Sequence, residues 1–169
     1  RKRLLAVFLS MLVLSGFGAM QAFGDDDGEA EHEAGEMQGG NLMAKNTAWV
    51  AECSTCHIAY PPGMLPAESW REIMRTLDQH FGTDASLDAQ TVAEILPFLE
   101  QNAGESSARE TKAAQAGKPT LRITEMGWFK HEHDEISDII WKRVNSPSNC
   151  VACHTQADKG NFDEDAIKI

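Results

Sequence analysis

The chain has 169 residues, a length for one moderate domain or two small ones. It carries 26 acidic against 15 basic side chains, a formal net charge of −11, which speaks against nucleic acid and anionic membrane surfaces as partners. Aromatic residues make up only 7%, and all four cysteines fall in two short motifs, so a core completed by a bound prosthetic group is expected.

Arg1-Lys2-Arg3 form a basic start before an apolar run from Leu4 to Met20, followed by Ala22-Phe23-Gly24 ahead of Asp25. This is the layout of a secretory signal peptide over residues 1–24. An uncleaved anchor is the competing reading, but a run of about 17 residues broken by Gly16 and Gly18 is short for a span. Cleavage would strip three basic side chains and no acids, taking the charge from −11 to −14. An exported, periplasmic protein with no stable membrane insertion after cleavage is expected. Its redox partners would offer a basic patch, because complementary charge speeds encounter. Residues 25–40 hold seven acids and no Lys or Arg and read as an acidic disordered leader, with His32 an exposed bystander.

A short helix from Asn41 to Glu52 is predicted to run into Cys53-Ser54-Thr55-Cys56-His57. The pattern repeats at Cys150-Val151-Ala152-Cys153-His154, and each copy reads as a c-type haem attachment site. On a helical turn, positions i, i+3 and i+4 share a face. Two thiols can then form thioethers to one porphyrin while the following imidazole reaches its iron. Four cysteines could instead build a zinc site or two disulfides. The separation of the two copies and the export signal make those the weaker accounts.

After His57, Tyr60 to Pro66 is rich in proline and glycine and reads as a stiff loop over the haem edge. Pro66 suits the start of a helix whose stripe is Trp70, Ile73, Met74, Leu77 and Phe81. His80 lies at its margin and is the candidate sixth ligand of the first haem. Met64 is the rival, and Met74 looks like core. Asp84 to Asp88 is a turn with Ser86 or Asp88 as cap. A third helix follows with Val92, Ile95, Leu96 and Leu99, interrupted by Pro97 and ending near Gly104.

Residues 105–120 read as a linker between a first haem segment, 41–104, and a second, 121–169. Leu121 to Phe129 reads as extended or irregular, with Trp128 and Phe129 packing on the second porphyrin. His131 and His133 both offer an imidazole to the second haem, and spacing alone leaves the choice open. Metal binding by this His-x-His pair and ligation by Met126 are lesser alternatives. Ile136, Ile139, Ile140 and Val144 mark a short helix broken at Asn145 to Ser148. Residues 160–167 form an acidic arm against the second site.

Many of these residues fit one known pattern. The run Glu52-Cys-Ser-Thr-Cys-His-Ile-Ala-Tyr-Pro-Pro-Gly-Met-Leu-Pro66 resembles the bacterial dihaem cytochrome c family, which partners the sphaeroides haem protein. So do Ser69-Trp70, His80-Phe81-Gly82, Ala85 to Asp88, Arg122-Ile-Thr, Trp128-Phe129, His133-Asp-Glu-Ile136, Asn149 to His154 and Gly160 to Ala166. The resemblance runs over about residues 44 to 168. It implies a mainly α fold of two small haem domains, the N-terminal one class I cytochrome c-like and the C-terminal one irregular with few helices. It also implies two covalently bound haem c groups, attached through Cys53, Cys56, Cys150 and Cys153. Both would be bis-histidine, with His57 and His154 on one face and His80 and His133 on the other. Sequence order pairs His80 with the first haem and His133 with the second, and a crossed pairing stays open. Pro97 departs from the family pattern. Partners implied are redox proteins, a small c-type haem protein and a membrane b-type cytochrome.

The expected function is electron transfer by outer-sphere steps in a carrier, not an enzyme. The alternative is a peroxidase-like haem enzyme or ligand sensor with one open iron site.

Overall fold

The computed structural model describes residues 42–105 and 117–168. The chain divides into a unit over Arg1–Glu33 and a unit over Ala34–Ile169, and all described residues belong to the second. The signal peptide, the acidic leader with His32, and most of the linker lie outside the described residues.

Among the described residues the fold is mainly α and holds no strand. It contains α1 (Thr47–Cys53), α2 (Ala67–Arg75), α3 (Ala89–Gln101), α4 (Gly127–Glu132) and α5 (Asp138–Val144), linked by 3-10 turns. α1 starts where the Asn46 side chain accepts the Trp49 N–H at 2.7 Å, an N-cap bond that satisfies one free donor of the first turn. It ends on Cys53, so the first haem motif begins on the last residue of a helix and unrolls into a turn.

α2 is shorter than its apolar stripe predicts. It stops at Arg75, and Leu77–Gln79 form a 3-10 turn instead. The Thr76 hydroxyl donates back to the Glu72 carbonyl at 2.8 Å, competing with the helix ladder at that point. His80 therefore leaves a turn rather than a helix face, and Phe81 lies in the open, 46% exposed.

α3 opens on Asp88, whose carboxylate accepts the N–H groups of Gln90 and Thr91. Pro97 sits inside α3 without ending it. Past the helix, the Gly104 N–H donates to the Leu65 carbonyl at 3.0 Å, tying the end of this segment to the proline-rich loop.

The region 121–129 is not extended throughout. Ile123–Glu125 form a 3-10 turn, and α4 begins at Gly127, taking Trp128 and Phe129 into a helix. The β-branched residues Ile123 and Thr124 stay outside α4, and the extended Met126 backbone supplies the carbonyl that the Lys130 N–H bonds. α5 ends at Asn145, which adopts the left-handed conformation (φ 69°) that asparagine tolerates.

α3 packs against α1 and α2. Trp49, Trp70, Ile73, Met74, Ile95 and Leu99 form their common core, and Met126 and Phe129 of the second segment join the same cluster. Trp49 is 1% exposed. An aromatic side chain of this kind buries roughly 150–250 Å², worth at most about 4–6 kcal/mol at about 25 cal/mol per Å². Two hydrogen bonds also cross between the segments: Trp128 Nε1 donates to the Met64 carbonyl at 3.3 Å, and Tyr60 Oη donates to the Ser148 carbonyl at 3.2 Å.

Candidate haem centres

In the first motif, the Ser54 N–H bonds the Val50 carbonyl and the Thr55 N–H bonds the Glu52 carbonyl, so α1 winds down through the two cysteines. His57 follows in the bend. Its Nδ1 lies 2.6 Å from the Ile58 carbonyl, which fixes the proton there and leaves Nε2 with a free lone pair. In the second motif, Cys150–Ala152 form a 3-10 turn, and the N–H groups of Cys153 and His154 both bond the Cys150 carbonyl. This curl puts Cys150, Cys153 and His154 on one side. The C-terminal arm closes over it. The Lys168 N–H bonds the Cys153 carbonyl, the Thr155 hydroxyl bonds the Ala166 carbonyl, and His154 pairs with Ile167 in a single bridge.

Each motif histidine faces one other histidine. The ring centroids of His57 and His80 are 6.1 Å apart, and those of His133 and His154 are also 6.1 Å apart. An imidazole nitrogen bonds a first-row transition metal at about 2 Å. Two imidazoles on opposite sides of one metal thus have centroids about 6.3 Å apart once the ring radii are added. Both pairs fit one iron each.

Several other features fit a haem beside each pair. His133 Nδ1 lies 2.8 Å from the Phe129 carbonyl, which again frees Nε2. His154 Nδ1 is buried without a hydrogen-bond partner among the described residues, so no carbonyl fixes the tautomer of this ring as one does at His57 and His133. Burial, with the facing His57 and then Arg122, lowers the His80 pKa, and burial with the facing His133 lowers that of His154. Both are kept neutral, as metal-ligating imidazoles must be. The large apolar side chains that stand exposed, Phe81, Val151 and Ile139, include the neighbour of His80 and a member of the second motif.

The thiols do not look like a redox pair. All four are free, burial pushes Cys53 up to about 11 with Glu52 adding to it, and burial also raises Cys150. A catalytic thiol needs the opposite shift. Among the described residues, no three His, Cys, Asp or Glu side chains gather as a metal cluster.

His131 is turned away from both centres. Its side chain is 68% exposed and lies 3.9 Å from Asp134. Met64, Met74 and Met126 are buried in the apolar interior. Four contacts escaped the sequence reading. Tyr60 stacks on His57 with centroids 4.9 Å apart, Phe129 stacks on His133 at 4.2 Å, Phe162 sits 5.3 Å from His154, and the Arg122 guanidinium lies 4.2 Å above the Phe81 ring. Phe129 and His133 are four apart at the end of α4, a spacing that places them on one face. The other three join residues distant in sequence or separated by turns, which no local pattern reports.

Comparisons with known proteins place the chain among dihaem cytochromes c. Residues 49–162 match the family model of dihaem cytochrome c. The chain is similar to a dihaem cytochrome c from Rhodobacter sphaeroides, with 43% identity, a TM-score of 0.61, and coverage of 69% of this chain and 96% of that one. A second structure from the same organism gives 42% identity and a TM-score of 0.59 at the same coverage. A dihaem cytochrome type c from Shewanella baltica OS155 gives 39% identity and a TM-score of 0.61, covering 74% of this chain and 93% of its own. No match was found among curated proteins. The chain belongs to the dihaem cytochrome c family, whose two haem groups serve electron transfer.

Proposed function

We propose that this chain is a periplasmic electron carrier with two covalently attached, bis-histidine haems. Cys53 and Cys56 would hold the first by thioethers and Cys150 and Cys153 the second, with His57 and His80 as axial ligands of the first and His133 and His154 of the second. The observation that carries this reading is the equal 6.1 Å separation of the two histidine pairs, each joined to its own Cys-x-x-Cys-His motif. Bound haem supplies a one-electron ferric–ferrous couple.

The rest of the work belongs to the chain. His57 and His133 keep their Nδ1 protons on backbone carbonyls, which fixes each ring and raises its basicity toward a metal. The Phe129, Trp141 and Phe162 rings surround the second pair and limit water there. Held by His57 with His80 and by His133 with His154, two haems would offer no open site to a substrate, and the levers on potential would be ligand type, burial and hydrogen bonding. Paired imidazoles in place of a thioether favour low potentials.

Export is supported by the signal-peptide pattern of residues 1–24, and among the described residues no helix is long and apolar enough to cross a membrane. The charge of −14 after cleavage suits a redox partner with a basic face, such as a small c-type haem protein, or the exposed part of a membrane b-type cytochrome.

Separate alanine variants at His80, His131 and His133 test the ligand set. H80A and H133A should each convert one haem to a high-spin spectrum, while H131A should leave both low-spin. A low-spin spectrum unchanged in H133A, or lost in H131A, defeats the assignment.

A further inference from the structure

Tyr60 is the lone tyrosine of the chain, and it touches both centres. Its ring stacks on His57, with centroids 4.9 Å apart and planes at 24°. Its hydroxyl donates to the Ser148 carbonyl at 3.2 Å, across 88 residues of sequence. The Cys150 thiol approaches that same carbonyl at 3.6 Å. One side chain therefore spans from an imidazole of the first centre to the peptide group against which the first sulfur of the second centre rests.

We propose that Tyr60 is the bridge through which the two haems exchange electrons. The inference rests on the reading that each motif carries its own covalently bound haem. Electronic coupling decays steeply across empty gaps and more gently across bonds, hydrogen bonds and stacked rings. The route from the His57 ring through the Tyr60 ring and hydroxyl to the Ser148 carbonyl contains one stacking contact and one hydrogen bond, and a single 3.6 Å through-space step then reaches Cys150 Sγ, which as a thioether would carry no hydrogen to donate. A thioether at Cys150 would place the second porphyrin edge at the end of this route. The transfer itself is balanced without proton movement. One centre loses an electron, the other gains it, and Tyr60 stays a neutral phenol that keeps its hydrogen bond throughout.

The local chain holds the bridge in place. Ala59 before Tyr60 is buried, and Pro61 and Pro62 after it are buried and stiff. The Trp70 Nε1–H bond to the Pro62 carbonyl at 2.7 Å fastens this loop to α2.

The test is the intramolecular exchange rate, read from the linewidths of individual haem methyl resonances in the half-reduced holoprotein. Y60F keeps the stacked ring and removes only the hydroxyl, so both haems should remain low-spin with unmoved midpoint potentials while exchange slows several-fold. Y60L removes the ring as well and should slow exchange by an order of magnitude or more. Exchange in Y60F at the unmodified rate, with both haems low-spin, overturns the bridge. A protein that lacks two low-spin haems before any substitution overturns the underlying haem reading instead, and the two failures are told apart by the optical spectrum.

Discussion

His133 faces His154 with ring planes crossed at 66°, while His57 faces His80 with planes at 29° and the same 6.1 Å between centroids. Under the proposed ligation the two centres share a ligand set and differ in its orientation. Near-parallel imidazoles split the two π-type iron orbitals, and crossed ones leave them nearly degenerate. The ferric protein should therefore give two distinct low-spin electron paramagnetic resonance signals. The first haem should be rhombic with three resolved g-values, and the second dominated by one large, anisotropic g-value. Two superimposed rhombic signals would contradict the crossed geometry at His133 and His154.

Arg122 belongs to the second segment but stands over Phe81, the neighbour of His80. Phe81 and Gly82 both have positive φ (50° and 95°), and the Thr83 N–H closes the turn on the His80 carbonyl at 3.0 Å. Such a turn favours glycine or asparagine, and a bulky residue in it stores about 1–3 kcal/mol of strain. The guanidinium over the ring helps hold the turn. A nearby cation also favours the reduced, less positive centre, and its field adds to the lowering of the His80 pKa that burial and then His57 produce. R122Q should lower the first-haem midpoint by roughly 20–60 mV, where about 59 mV is a tenfold change for a one-electron couple. The second haem should hardly move. Potentiometric titration with the two haems resolved by their resonance signals checks both.

Gly104 carries the docking of the chain past α3 onto the proline-rich loop. A Cβ there would collide with the Gly63 carbonyl oxygen, a backbone atom that cannot swing aside. G104A should cost about 1–3 kcal/mol, as overpacking does elsewhere. Each kcal/mol lowers the melting temperature by roughly 2–4 °C for a chain near this size. Thermal unfolding of the holoprotein measures the loss, and the haem spectrum at room temperature should be unchanged.

Much of this was legible in the chain itself. The paired motifs, the Asp88 cap, the span of α3 and the starts near Pro66 follow from local chemistry that the structure keeps. α2 ran short because Thr76 turns its hydroxyl onto Glu72, a local competition that an apolar stripe does not reveal. The placement of His133 rather than His131 beside His154 depends on α4, where Phe129 anchors the core and presents its carbonyl to the residue four places on. Reading 121–129 as extended or irregular hid that helix, and spacing alone therefore left the choice open. The Tyr60 bond to Ser148 and the place of Arg122 over Phe81 were beyond reach because the shared core alone brings those residues near.

Asp88 offers a pH test away from the haem ligands. The Thr91 hydroxyl and amide bonding its carboxylate hold its pKa below the ordinary aspartate value. The folded chain therefore binds this proton less readily than the unfolded chain. The stabilisation is complete above the ordinary range near about 4 and is lost as pH falls through the lower folded value. D88N keeps an acceptor without the charge, so its melting temperature should lie a few degrees below that of the unmodified protein near about pH 6. The gap should close as the pH falls below the ordinary aspartate range and through the lower folded value. A gap that stays constant would remove the charged cap from the account.

The central claim is that both irons are closed by paired imidazoles, and carbon monoxide titration of the fully reduced holoprotein addresses it directly. A closed, bis-histidine carrier should keep the low-spin ferrous spectrum of both haems under saturating carbon monoxide. Rapid, stoichiometric binding at either haem would contradict it and return an open iron site, with its chemistry, to the account.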